Sequence, residues 1–241
     1  MPLFSFSSKI AIVCGAGQGI GLAVAKALAE AGANIAIWYN SKSGDIAEAE
    51  DIERIYKVKC RAYKVDVTSH KEVDETMAMY IRDLNGRLDA FVANSGVSWG
   101  DEAFIDSDIG RYHDLIKINT DGVVYCAHVA GRHFRRQQQE GTTIDGSKLS
   151  NFESGSFIAM ASMSGHIVNI PRRQAVYNAS KATPIHICFG FPLFAADMYD
   201  ALGYGWVGTL LAGLAVVLAW PAPVLLWFYG EKLRAKSKSA R

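Results

Sequence analysis

From residue 10 to residue 161, short runs of consecutive apolar residues alternate with longer stretches whose apolar positions recur every three or four residues. The first pattern suits strands buried on both faces, the second helices buried on one. The runs predict strands over 10–13, 34–39, 62–67, 88–93 and 156–161. The periodic stretches predict helices over 19–31, with Gly32 as a stop, over 44–57 and 71–84, and a long helix within 109–136. Strands and helices alternating at these lengths imply a parallel sheet covered on both faces. Right-handed crossovers make it a doubly wound, Rossmann-like α/β fold. No internal repeat interrupts the pattern, and the polar loop over 141–155 suggests no function.

The pattern changes at about residue 183. Trp206 to Tyr229 is a stretch of 24 residues without a charged side chain. As a helix it would reach about 36 Å, enough for a hydrocarbon core of about 30 Å. Trp206, Trp227, Phe228 and Tyr229 suit the membrane interfaces, and Pro221 and Pro223 imply a kink. The expected organisation is therefore a domain over 1–183, a connector over 184–205, a transmembrane helix over 206–229 and a basic tail over 230–241. That tail carries five basic residues against one acid, which by the positive-inside rule would hold it in the cytosol. A tail-anchored arrangement with the first domain in the cytosol breaks that rule, and it is nonetheless the expected location.

Composition narrows the classes further. A formal net charge of +1 and a mean hydropathy of +0.08 give no electrostatic footprint for nucleic acid. Cys14, Cys60, Cys126 and Cys188 are widely spaced, as reduced thiols rather than a disulfide framework. The six histidines have no metal-ligand spacing, so no metal is expected. The first nine residues lack the apolar core of a secretory signal.

Candidate chemistry lies at both ends of the first domain. Gly15, Gly19 and Gly21 follow an apolar strand and open a helix. There the backbone must turn tightly, approach a pyrophosphate and present free N–H groups to it. Where NAD sites commonly place an acid on the ribose, at the end of the second strand, this chain has Asn40-Ser41-Lys42. The missing carboxylate and the nearby lysine favour NADP(H). Tyr177 and Lys181 stand four apart and share a helix face. A free phenol is a poor acid–base group at neutral pH, and an ammonium beside it favours the phenolate.

These residues together resemble the classical short-chain dehydrogenase/reductase family. Cys14-Gly15-Ala16-Gly17-Gln18-Gly19-Ile20-Gly21 is similar to its glycine motif, with Cys14 in place of the usual Thr. Asp66-Val67, Ala93-Asn94-Ser95-Gly96, Asn119, Ser164 and Tyr177-Asn178-Ala179-Ser180-Lys181 follow in the family's order. Within it, Ser162 to Pro171 with Gln174, Tyr177 and Lys181 resembles the fungal sorbose reductase and mannitol dehydrogenase group. The resemblance implies NADPH-dependent reduction of a small carbonyl substrate such as a ketose. It implies Tyr177 as proton donor and Ser164 as hydrogen-bond donor to the carbonyl. Lys181 would bind the nicotinamide ribose and ease ionisation of Tyr177, and Asn119 would hold a water of the proton relay. Gly15, Gly19, Ile20, Gly21, Asn40, Asp66 and Asn94 would hold the cofactor with Tyr177 and Lys181. Ser162 is a fallback for Ser164, two residues out of register.

After Lys181 the family pattern stops. Family members continue into a sixth and a seventh strand, so the sheet is expected to be truncated after strand five, with that strand uncovered. Pro184 is expected to interrupt the helix carrying Tyr177 at a cost of about 3 kcal/mol. Phe191 to Tyr199 and the uncharged run instead resemble the last segments of fungal major facilitator transporters. Two readings follow: a membrane-tethered reductase, or a catalytically inactive, membrane-anchored remnant of a gene fusion. The oligomeric state is left open. His166 reads as a loop residue near the site, and Arg132 to Arg136 as the solvated end of a helix.

Overall fold

Alternation along the first strand explains the architecture. In β1 (Ile10–Cys14) every residue is buried, and period 2 sends Ile10, Ile12 and Cys14 to one face and Ala11 and Val13 to the other. The computed structural model describes residues 5–40, 45–100, 102–149, 151–167 and 173–190. All lie within one compact unit spanning 1–193. β1, β2 (Asn34–Tyr39), β3 (Cys60–Lys64), β4 (Ala90–Ala93) and β5 (Ser156–Ala159) pair in parallel in the order β3-β2-β1-β4-β5. The chain thus moves outward from β1 to β3, then crosses to the other side of β1. The carboxyl ends of β1 and β4 flank that reversal, where open α/β sheets form a crevice.

Two layers of helix cover the faces. Ala11, Val13, Ile35, Ile37 and Val92 pack with Ala25 and Ala29 of α1 (Gly19–Glu30) and Ala49 and Ile52 of α2 (Asp45–Tyr56). Ile10, Ile12, Trp38 and Phe91 pack against Val73, Met77 and Ile81 of α3 (His70–Leu84) and Val123 and Val129 of α5 (Gly122–Glu140). Each fully buried Ile or Phe is worth about 1.5–3 kcal/mol of transfer free energy. Trp38 meets Phe91 edge-on at 5.3 Å.

Polar ties fix the ends. Ser69 caps α3 by accepting from the Glu72 backbone N–H. Asp89, just before β4, accepts from the Ile10 N–H at 2.9 Å and pairs with buried Arg87. Gln137 of α5 bonds both backbone groups of Leu88, at 2.6 and 2.7 Å. Together these ties lock the entry of β4 to β1 and to α5.

β4 starts two residues later and β5 ends two residues earlier than expected, and three further differences are larger. β3 starts and stops earlier than expected, because its register pairs Cys60 with Ile35 and Lys64 with Tyr39, where β2 itself ends. The single long helix divides into α4 (Ile109–Ile116), a π-helical turn over Lys117–Asp121, and α5. The helix carrying Tyr177, α6 (Ala175–Gly190), runs on through buried Pro184, so residues 184–190 form its last turns. Proline removes one backbone donor there, but Pro184 and Ile185 are held by packing; Ile185 lies against Gly165.

β5 closes the described sheet. Ser156 and Ile158 are exposed, Ile158 by 47%, while Phe157 and Ala159 are partly buried against the core. Among the described residues no helix is long and apolar enough to cross a membrane. The transmembrane helix expected over 206–229 and the tail over 230–241 lie outside the described residues.

Candidate cofactor and catalytic site

The crevice beyond β1 and β4 holds a cavity of about 630 Å³. Its floor is the turn between β1 and α1. Gly15 (φ +61°) and Gly19 (φ +58°) take left-handed backbone that side chains resist. The Gly15 N–H donates to Trp38 O at 2.8 Å, which hangs the turn on β2. The space above Gly19 is open, so a ligand can approach the backbone there. Asn94, at the end of β4, donates through Nδ2 to Cys14 O (3.2 Å) and Gly15 O (3.1 Å). Gly21 lies beneath: a Cβ there would sit 2.6 Å from Asn94 Nδ2, so glycine lets α1 press against the turn. Cradle, open volume and helix N-terminus fit a dinucleotide.

Of the expected cofactor residues, Gly15, Gly19, Ile20, Asn40, Asp66 and Asn94 line this cavity, and Gly21 supports it from behind. Ile20 is 63% exposed and forms part of the mouth. Asp66 Oδ1 accepts from the Thr68 N–H and hydroxyl at 2.9 and 2.8 Å, which fixes the carboxylate beyond β3. Asn94 is tied to the turn by two bonds and so braces the glycine backbone. Ser41 and Lys42 lie outside the described residues.

Cys14, beside the turn, fills space. Burial pushes its thiol well above the usual range, with neighbouring Cys126 adding to the effect. A thiol so placed behaves as a small apolar side chain.

Two of the catalytic candidates, Asn119 and Lys181, meet at Gly96, which lines the same cavity, whereas none of Asn119, Ser164, Tyr177 and Lys181 lines it directly. Asn119 sits in the π-helical turn, fully buried. Its Oδ1 accepts from the Val97 N–H at 2.8 Å. Its Nδ2 donates to Val97 O at 2.9 Å and to Ser180 Oγ at 3.1 Å. The side chain thereby clamps the loop after β4 to α6, using both amide hydrogens and one lone pair of Oδ1. The π-turn frees backbone groups at this point, as such turns often do at working sites.

Lys181 is buried and donates through Nζ to Met160 O at 2.9 Å. Burial alone lowers its pKa. Nζ lies 5.9 Å from the centre of the Tyr177 ring. A Cβ on Gly96 would meet Asn119 Oδ1 at 3.2 Å and Lys181 Nζ at 3.3 Å, so both side chains converge on that glycine. Tyr177 packs beside Trp99, Leu115 and Val176. Ser164 is buried in a short 3-10 turn, Met163–Gly165, capped by Ser162, whose Oγ accepts from the Ser164 N–H at 3.2 Å. Ser162 therefore shapes the turn that carries Ser164.

Three residues join the site without having been expected. Gly165 is the contact between the Ser164 turn and α6: a Cβ there would lie 2.6 Å from the Lys181 carbonyl carbon. Ser180 receives Asn119 and donates to Tyr177 O at 2.8 Å. Buried Asp45 lines the cavity at the glycine turn. Gly165 and Ser180 stood next to residues already singled out, whereas nothing in the linear pattern marked Asp45.

A family model described as enoyl-(acyl carrier protein) reductase matches residues 15–188. The chain is 59% identical over 188 residues to L-xylulose reductase of Hypocrea jecorina, covering 78% of this chain and 65% of that protein. It is 42% identical over 188 residues to a probable NADP-dependent mannitol dehydrogenase of Yarrowia lipolytica, covering 78% and 62%. A sorbose reductase of Candida albicans is 43% identical over 219 residues, covering 89% and 72%. Among solved structures, the NADPH-dependent 3-quinuclidinone reductase of Rhodotorula rubra superposes with a TM-score of 0.67 at 33% identity, over 77% of this chain and 64% of that one. The chain thus spans less than two thirds of the first two relatives' lengths.

Proposed function

The chain belongs to the short-chain dehydrogenase/reductase family, and from that premise we propose that it is an NADP(H)-dependent oxidoreductase reducing the carbonyl of a ketose or other small ketone to an alcohol. The carrying observation is the convergence of Lys181 and Asn119 on Gly96, at the end of the cleft whose floor is the glycine turn. The relatives' names support both cofactor and substrate class: they include a xylulose reductase, a sorbose reductase and NADP-dependent mannitol dehydrogenases.

Gly15, Gly19 and Ile20 would hold the cofactor's phosphates, with Asp66 beside the adenine and Lys181 at the nicotinamide ribose. When bound, the cofactor supplies the hydride. Ser164 donates a hydrogen bond to the substrate carbonyl oxygen, and Tyr177 passes that oxygen its proton. The buried Lys181 ammonium favours the phenolate left behind, because opposite charges attract strongly away from water. With its side chain clamped to Val97 and Ser180, Asn119 serves by holding the π-turn, whose backbone can present a carbonyl to a relay water. Attachment to a membrane through residues 206–229 rests on their uncharged run.

NADPH oxidation by the full chain, offered L-xylulose, L-sorbose and fructose, tests the reading. Tyr177→Phe is expected to lower turnover about 10³-fold, within the range of general acid catalysis, while NADPH still quenches tryptophan fluorescence. Equal turnover by the two proteins sinks the catalytic assignment. NADPH binding by wild type without any turnover supports the inactive remnant.

A further inference from the structure

His70 and His128 lie 58 residues apart in the chain, and the fold brings their rings together. His70 opens α3, and His128 lies along α5. His70 Nε2 faces His128 Nδ1 at 3.2 Å. Val73 and Met77 of α3 pack with Val129 of α5 in the core beneath, which holds the spacing of the two helices. A second rung fixes their register. Asp74 follows His70 by one helical turn and Arg132 follows His128 by one, and Asp74 Oδ1 meets Arg132 Nη1 at 3.2 Å. Tyr125 meets the His70 ring edge-on at 5.3 Å and limits its swing. His128 is exposed and His70 half-buried, so solvent ions can reach the pair.

Two imidazoles in this arrangement can share either a proton or a cation. In a hydrogen bond one ring nitrogen donates and the other accepts. On a metal both lone pairs point at the ion, and each neutral ring keeps its one proton on the far nitrogen, Nδ1 of His70 and Nε2 of His128. With zinc–nitrogen bonds of about 2.0–2.1 Å, the 3.2 Å separation opens an angle of about 100–106° at the ion, close to tetrahedral. We propose that His70 and His128 form a two-histidine site for a divalent transition-metal cation such as zinc, bridging α3 and α5. Imidazole suits such cations, whereas magnesium and calcium prefer oxygen. Among the described residues no third His, Cys, Asp or Glu joins the pair, so water completes the coordination and the ion exchanges with solvent. Asp66 and Thr68, which line the cleft, lead directly into α3. The bound ion therefore braces that wall of the cleft against α5.

The test is calorimetric titration of the metal-free full chain with zinc chloride at about pH 8, where a free imidazole is neutral. Electron paramagnetic resonance of the copper(II)-loaded protein accompanies it. Saturable zinc binding is expected, with hyperfine structure from two imidazole nitrogens on copper. His70→Gln and His128→Gln should each lower zinc affinity at least about tenfold, since losing a ligand costs no less than losing its outer support. His113→Gln, at an exposed histidine of α4, should leave it unchanged. Circular dichroism checks that the variants fold, and where one does not, the wild-type copper spectrum decides. Zinc affinity that is unchanged in both variants, lowered in only one, or absent from wild type overturns the proposal. A copper spectrum with a single nitrogen does the same.

Discussion

β1 and β5 belong to one sheet but live in opposite surroundings. No residue of β1 is more than 2% exposed, whereas Ile158 of β5 is 47% exposed. The glycine turn hangs from the first strand. The turn bearing Ser164 follows the second and is steadied by α6 and the Asn119 clamp. The cofactor cradle is therefore an extension of a core packed on both faces. The catalytic end depends on a few contacts: Gly165 against Lys181, Lys181 on Met160 O, and Asn119 on Val97 and Ser180. Affinity for a nucleotide and chemical turnover can thus fail separately in this chain.

The contrast can be broken or sharpened by mutation. The largest expected effect is at the centre. Phe91→Ala in β4 removes a fully buried ring touching Trp38 and Phe157. It should cost about 3–5 kcal/mol in chemical denaturation. A loss under about 1 kcal/mol would mean the centre is not the stabilising half.

Smaller is the effect expected at His133 on α5. Burial, with Arg136 and Arg132 adding to it, lowers this imidazole's pKa from 6.5 to about 4. The folded state then binds fewer protons than the unfolded chain between those values, so stability rises with pH through that window. It is complete above about 6.5 and falls on acidification toward 4. At about 1.4 kcal/mol per pH unit across that window the contribution is at most about 3.5 kcal/mol. His133→Gln should flatten stability between pH 4 and 6.5, and a slope equal to that of wild type would refute the assignment.

The smallest effect is expected at the edge. Ile158→Thr should change stability by less than about 0.5 kcal/mol, since the residue is already half in water. A cost of 2 kcal/mol or more would mean that β5 is covered in the working protein, and would erase the contrast from which the comparison starts.

Much of this was legible in the chain. Apolar runs of four to six residues named all five strands, and β2 was found at its exact-length span, Asn34–Tyr39. The glycine turn and the Tyr177–Lys181 pair are legible because each depends on fixed local spacing. What escaped was set by distant partners. The end of β3 follows the length of β2. The π-turn gives Asn119 its reach to Val97 and Ser180. Proline penalties are local, so the continuation of α6 through Pro184 depended on packing that spacing cannot show.

The sequence by itself determined the fold class and the glycine turn, and it singled out Tyr177 and Lys181 as candidates, since periodicity and short-range spacing encode them. Tertiary structure alone decided the burial of Lys181, the clamping of Asn119 to Val97 and Ser180, and the burial of Asp45 against the glycine turn. Each of these depends on which segments the sheet brings together, and burial and neighbouring charge then fix what the side chain does.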